Sequence, residues 1–323
     1  MWYRSIVSIC MALAACLVPA AHAAPGYPDK PVRILVPWAA GGAADFLARA
    51  ISERMTAQWS VPVIVENRPG AATNIGTQFV ASAQPDGYTL LMASSNNCVN
   101  VSLYKDLGFD FARDFVPVTN VGLAPNVLVV PAALPAHSVR ELIALAKADP
   151  GKLTYGSSGN GSAAHLAAER FQAATGTRLL GVPYKGAAPA VADLLGNRLS
   201  MMFTVLPPTL GHIRAGTLRL LAVASSRRLP LFPDTPTVGE SGVPSFESSI
   251  WYGLVAPRGT PEAVVAKVQQ TVAAILAEPD IVRRLAAQGT IAVGDSSQAF
   301  GQTIAADIES YGRLIRSAHI QPQ

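Results

Sequence analysis

The chain is poor in the side chains from which metal and catalytic centres are usually assembled. Its 323 residues include three cysteines and five histidines. Cys10 and Cys16 fall in an N-terminal apolar stretch, so Cys98 stands alone beyond it with no partner for an internal disulfide. The histidines past that stretch are His137, His165, His212 and His319, too scattered to read as a metal set. Charged residues make up only 14% of the chain, the formal net charge is +4, and no long Lys or Arg run exists. Nucleic acid therefore finds no electrostatic footprint, and small anions at most a weak attraction. A Walker lysine motif is missing, and Gly41-Gly42 lacks the Gly-x-Gly-x-x-Gly spacing of a dinucleotide loop. Gly156-Ser157-Ser158-Gly159 is no nucleophile elbow, because position 160 is Asn. No pair of carboxylates stands out as an acid and base couple. We expect no catalytic residue, no metal and no cofactor.

What the chain does carry begins with an export signal. Arg4 supplies the positive start, residues 6–18 an apolar run, and Ala21-His22-Ala23 a small-x-small cleavage form. Pro19 and His22 close the run before the roughly 20 apolar residues that a membrane anchor needs. The expectation is a signal peptide at 1–23, cleavage after Ala23, and a periplasmic protein. Leu13-Ala14-Ala15-Cys16 resembles a bacterial lipoprotein box and offers lipid attachment at Cys16 as the alternative. No later stretch reaches spanning length.

The remaining 300 or so residues exceed what one hydrophobic core usually organises, so two domains are expected. Apolar runs at 32–36, 63–65, 89–92, 127–130 and 218–223 read as strands alternating with helical periods, the pattern of α/β units with mostly parallel sheets. Leu47, Ala50, Ile51, Arg54 and Met55 recur at helical spacing. Ser138 with Glu141 forms a capping box. Later stripes such as Val264, Val268, Val272 and Ile275 read as core. The chain offers no long linker, so structured crossings near 127–130 and 218–223 should join the domains. One domain would then comprise 24–125 and 225–323, and the other 126–224.

Four Gly- or Ser-rich segments each sit between a strand and a helix, where open α/β folds bind ligands. The first is Trp38-Ala39-Ala40-Gly41-Gly42 ahead of Asp45; bare backbone at the glycines lets an anion approach amides at a helix start. A plain tight turn explains Gly-Gly equally well, and Asp45 reads as a first-turn dipole partner. The second is Ser94, Ser95 and Asn96, short polar donors that also suit an ordinary turn. The third is Ser157-Ser158-Gly159-Asn160-Gly161-Ser162, a second backbone cradle. The fourth is Tyr184-Lys185-Gly186-Ala187, where Lys185 is a counter-charge or a solvated surface residue. His165, about one turn into a helix, is a cleft-edge contact or simply packed.

These segments belong to a longer ordered series: Tyr27-Pro28-Asp29-Lys30-Pro31-Val32, Val65-Glu66-Asn67-Arg68-Pro69-Gly70-Ala71, Pro85-Asp86-Gly87-Tyr88-Thr89-Leu90, Asp193-Leu194-Leu195-Gly196, Pro233-Asp234-Thr235-Pro236-Thr237 and Trp251-Tyr252-Gly253-Leu254. Through them, over essentially the whole chain past the signal, the sequence resembles the Bug receptors, the extracytoplasmic solute-binding proteins of tripartite tricarboxylate transporters. The resemblance implies a periplasmic-binding-protein fold: two α/β domains joined by crossing strands, with a ligand cleft between them. It implies a small organic acid gripped by the same four loops, membrane transporter subunits as partners, no nucleic acid and a monomer. Two departures bear on ligand identity: Ala39-Ala40 replaces the usual Pro-Gly, and Thr204 stands where an aspartate often ends the Met-Met-Phe strand. A periplasmic hydrolase and a receptor serving a sensor are the competing readings.

Overall fold

A computed structural model describes residues 26–184 and 186–317. The export signal, the choice between cleavage at Ala23 and lipidation at Cys16, and Lys185 lie outside those residues. No described helix is long and apolar enough to cross a membrane.

The first half of the chain forms β1 (Val32–Val36), α1 (Ala43–Trp59), β2 (Val63–Asn67), α2 (Asn74–Ala81), β3 (Thr89–Ser94) and α3 (Ser95–Leu103). Val32, Ile34, Leu35 and Val36 of β1 are all buried, as a parallel strand covered on both faces requires. Helix α1 buries Leu47, Ala50, Ile51 and Met55 and stops at Ser60, left-handed at φ 56°, whose N–H reaches the Thr56 carbonyl. Arg54, from the same sequence stripe, stays half-buried and pairs with Glu278 at 3.3 Å.

A 17-residue strand, β4 (Phe115–Pro131), then runs from one sheet region into the other. The middle of the chain adds α4 (Val139–Ala148), β5 (Thr154–Ser157), α5 (Ala163–Thr175), β6 (Leu180–Pro183), α6 (Ala187–Leu195), β7 (Met201–Val205), α7 (Pro207–Arg214) and β8 (Leu218–Val223). The end adds β9 (Ser249–Pro257), α8 (Glu262–Leu276), α9 (Pro279–Ala286), β10 (Ile291–Ala292) and α10 (Ser297–Ser317). In the first region β1 lies parallel to both β2 and β3, and β9 runs antiparallel between β3 and β4. In the second, β5 is parallel to β6 and β7, while β7 and β8 pair antiparallel with the far end of β4.

Each region has its own core. Ile34, Leu47, Ile51, Leu254, Val268 and Ile275 cover one face of the first sheet against α1 and α8. Leu128, Leu142, Phe171, Phe203 and Phe246 form the centre of the second. Each such fully buried side chain is worth about 1.5–3 kcal/mol relative to exposure.

The run 218–223, expected as the return crossing, is β8 and stays inside the second region, where Leu218 and Val223 pack with Met202 and Leu210. Residues 225–248 pack there too, through Leu229, Val238, Val243 and Phe246. The chain crosses back at Ser248, tied to β4 by hydrogen bonds from Asn126 N–H to the Ser248 carbonyl (2.9 Å) and from Asn126 Nδ2 to Ser248 Oγ (2.8 Å). Helix α10 closes the molecule: its Ile315 packs with Val99 and Leu103 of α3 and with Leu166 of α5, so it touches both lobes.

Candidate functional site

Parallel pairing puts the C-terminal ends of β1 and β3 side by side, and likewise those of β5, β6 and β7. The four candidate segments lie at those ends.

In the first lobe Gly41 has φ 87°, a conformation that favours glycine. Its N–H donates to Asp45 Oδ2 at 3.0 Å, and Arg49 Nε donates to the same oxygen at 3.0 Å. Arg49 also donates to Asn67 Oδ1 (3.2 Å), and Asn67 Nδ2 to the Trp38 carbonyl (3.1 Å), so a chain of polar contacts fixes the loop. Burial pushes the Asp45 carboxyl upward, but the hydrogen bonds from Arg49 and Gly41 outweigh it and hold it below the usual carboxylate range. Its Oδ1 is buried without a partner. Gly42 caps α1 with no side-chain acceptor, at φ −83°. A Cβ there would meet only the Ala39 carbonyl, at 3.8 Å, and one at Gly41 nothing within 4 Å. The Gly41–Gly42 backbone at the start of α1, whose first-turn amides have no intrahelical acceptors, is thus exposed and uncrowded.

The second segment is a direct strand-to-helix junction: Ser94 ends β3 and caps α3, and Ser95 and Asn96 are the first residues of α3. Ser94 is buried, its Oγ accepts from the Asn96 N–H at 3.1 Å, and its own N–H donates to Asn97 Oδ1 at 2.9 Å. Ser95 is buried, and neither its Oγ nor Asn96 Oδ1, both buried, has a hydrogen-bond partner among the described residues.

In the second lobe, Ser157 is buried and bonded to Gly159 through its hydroxyl, and Ser162 Oγ caps α5 by accepting from the His165 N–H at 3.3 Å. Gly161, at φ 74°, donates its N–H to His165 Nδ1 at 3.0 Å. The side chains of Ser158 and Asn160 are partly exposed and make no hydrogen bond among the described residues. The Tyr184 N–H donates to the Ser157 carbonyl at 3.0 Å, joining the third and fourth loops. The Tyr184 hydroxyl donates to Asp193 (2.6 Å); burial and that carboxylate push it up to about 12. Gly186, φ 113°, caps α6 without a side-chain acceptor, and a Cβ there meets nothing within 4 Å. Ala187 opens α6 and is partly exposed. Of the four helix starts, then, serines cap α3 and α5, while α1 and α6, one in each lobe, have no side-chain cap.

The lobes meet near these loops. A Cβ at Gly161 would strike Leu103 Cδ2 at 2.5 Å, so the third loop leans on α3. Thr204 is buried at 3% exposure opposite Val127, and its neighbour Val205 packs against the same cluster as Trp38. Sequence reading passed over two features. Tyr252 lies opposite Ser94 in register and edge-on to Trp38 (6.1 Å), with no hydroxyl hydrogen bond among the described residues. Beside the first loop, Ala71, Ala72 and Thr73 all have positive φ (44°, 50° and 83°), held by Asn100 Nδ2 donating to the Ala72 carbonyl at 2.7 Å. Nothing in Ala-Ala-Thr signals that geometry; the asparagines at 97 and 100 impose it.

A cavity of about 220 Å³ lies elsewhere on the seam, lined by Asn120, Arg170, Trp251, Asp307 and Tyr311 and by none of the four loops. Trp251 Nε1 donates to Asp307 there at 2.7 Å, while burial pushes that carboxyl above its usual range. Among the described residues no three His, Cys, Asp or Glu side chains gather into a metal site.

The profile of the tripartite tricarboxylate transporter family receptor matches residues 47–320. Protein BugT of Bordetella pertussis is 37% identical over 317 residues, covering 97% of this chain and 96% of that one. Among solved structures, Rhodopseudomonas palustris Rpa4515 with adipate superposes with a TM-score of 0.85 at 36% identity, covering 92% of this chain and all of the other. MatC from the same organism, with bound malate, gives 0.78 at 28% identity over 90% of this chain and all of its own.

Proposed function

The chain belongs to the tripartite tricarboxylate transporter receptor family, and from that premise we propose that it captures a small carboxylate between its lobes in the periplasm and delivers it to the membrane subunits of such a transporter. The observation that carries the reading is the pairing of uncapped helix starts: α1 after Gly42 and α6 after Gly186, one in each lobe, begin at glycines with no side-chain cap and room beside them. An anion at a helix start gains typically 0.3–1 kcal/mol from the dipole, besides its hydrogen bonds. The adipate and malate bound by the two solved relatives support the same chemistry.

On this reading Trp38, Ala39, Ala40, Gly41, Gly42, Ser158, Gly159, Asn160, Tyr184, Gly186 and Ala187 face the ligand, and Lys185, outside the described residues, is kept as the expected counter-charge. Ser94, Ser157 and Ser162 hold the loops in shape. The protein acts as a monomer, exported by a signal cleaved after Ala23, and turns nothing over. Its serines support that last point: Ser94 and Ser157 spend their hydroxyls on neighbouring backbone, and His165 turns Nδ1 toward an amide instead of a hydroxyl. No nucleophile next to a base results. The ligand carries no essential amino group, because Thr204 brings no charge and Asp45 is engaged by Arg49.

A thermal-shift screen of adipate, malate, amino acids and sugars tests this. A ligand at one hundred times its dissociation constant adds about 2.7 kcal/mol. The acids should raise Tm and be recovered chemically unchanged; a response to sugars alone, or turnover lost in a serine variant, favours another function.

A further inference from the structure

Both lobes use one local device. Gly41 and Gly161, each with positive φ, donate their N–H groups to a side chain four residues on, Asp45 Oδ2 and His165 Nδ1, both at 3.0 Å. Each acceptor is the third residue of its helix, α1 or α5. Only the acceptor's chemistry differs.

A backbone N–H can only donate, so the nitrogen it faces must hold the lone pair, which makes His165 the neutral Nε2–H tautomer. Protonation replaces that hydrogen bond with two donors face to face. We propose that His165 is a positioning residue which, as neutral imidazole, latches the 157–162 loop through the Gly161 amide, and that protonating it opens the latch and weakens carboxylate capture. This rests on the reading that the loop belongs to the ligand site.

The surroundings are specific. From β5, Tyr155 lies nearly parallel to the ring at 16°, centroids 6.2 Å apart. On α5, Glu169 Oε1 is 3.9 Å from Nε2 and already accepts from the Tyr155 hydroxyl at 2.6 Å and Gln172 Nε2 at 2.9 Å. On α3 the side chains nearest Gly161 are the apolar Val99 and Leu103. Tyr104 and Tyr311 flank Leu166 on the seam, and Arg170 and Asp307 line the cavity beside Ala163. Burial pushes His165 below its ordinary range, against the opposing pull of Glu169.

The sign follows. The fold excludes a proton that the unfolded chain would accept, so the latch is intact at neutral pH and is lost as pH falls through and below the ordinary imidazole range. Asp45, held low, keeps its charge over that window and loses it only below the ordinary carboxylate range. Between those limits the second lobe alone responds. Because Gly161 abuts Leu103 and Val99, the loosened loop disturbs the seam with the first lobe.

The test pairs a ligand-free readout with binding. In ¹⁵N NMR of the ligand-free protein, His165 should be unprotonated at Nδ1, and the Gly161 amide should shift in step with the ring's titration. Adipate binding by calorimetry should weaken about 2- to 12-fold on acidification from pH 7.5 to 5.5, the range expected for one hydrogen bond. His165→Asn, whose carbonyl has the reach that Asp45 shows at the same spacing, should keep neutral-pH affinity and lose the part of the pH dependence that exceeds adipate's own protonation; His165→Phe should bind weakly at both values. A Gly161 amide indifferent to the titration, or full pH dependence in His165→Asn, overturns the proposal. If adipate and malate both fail to bind at pH 7.5, the carboxylate reading falls, and the NMR titration still decides the latch.

Discussion

The two lobes hold their cradle loops with the same geometry and different chemistry. In the first, a charged chain runs from Asp45 through Arg49 and Asn67 to the Trp38 carbonyl. In the second, neutral partners do the work: Ser162 caps, Ser157 folds onto Gly159, and His165 takes the Gly161 amide. Charge-assisted hydrogen bonds are roughly twice as strong as neutral ones, so the first cradle is the stiffer and the second the more responsive. The packing behind them differs as well. Gly161 is wedged against Leu103, whereas Gly41 faces open space.

The largest effect should come from that wedge. Gly161→Val adds left-handed strain of about 1–2 kcal/mol to overpacking of about 1–3 kcal/mol, so urea unfolding should show a loss of about 2–5 kcal/mol; Gly41→Ala should show the strain alone. Equal losses would mean that the seam yields freely at Leu103.

Next come the acceptors. Asp45→Ala removes a buried, charge-assisted partner and should lower stability by about 1.5–3 kcal/mol, against about 0.5–1.5 kcal/mol for His165→Ala. The stability profiles should separate by pH too. The Asp45 contribution is present above the ordinary carboxylate range and fades below it, and the His165 contribution fades already as pH drops through the imidazole range. Identical pH profiles for the two variants would erase the contrast between the lobes.

The smallest effect on folding should be that of Gly42→Val. With φ −83° and open space around its Cβ, it should change stability by less than about 1 kcal/mol, the scale of a helix-capping change. Its branched side chain would still stand before the α1 amides and weaken adipate binding. Unchanged affinity in the folded variant would make the loop a plain turn.

Much of this was legible in the sequence because it depends on local periodicity and turn chemistry. The α1 stripe, the strand-loop-helix placement of three of the four glycine or serine segments and the Ser138 cap follow from short-range rules; the second segment passes straight from β3 into α3. Even there a detail differs: Ser138 Oγ accepts from the Glu141 N–H, but Glu141 returns its carboxylate to the His137 N–H at 2.6 Å, one residue before the cap. What escaped depends on tertiary contacts. Residues 225–248 have no period to declare which core they join, and only the burial of Leu229, Val238 and Phe246 places them. The positive φ angles at 71–73 are set by Asn100 from another helix. His165 carried the spacing of a latch, but a histidine one turn into an apolar helix looks the same in sequence whether it packs or accepts.

The most direct test is native mass spectrometry of the protein purified from cells without added ligand. Capture of a carboxylate between the lobes predicts a 1:1 complex with an acidic small molecule, released intact on unfolding; a neutral sugar, or a ligand returned in altered form, would contradict it.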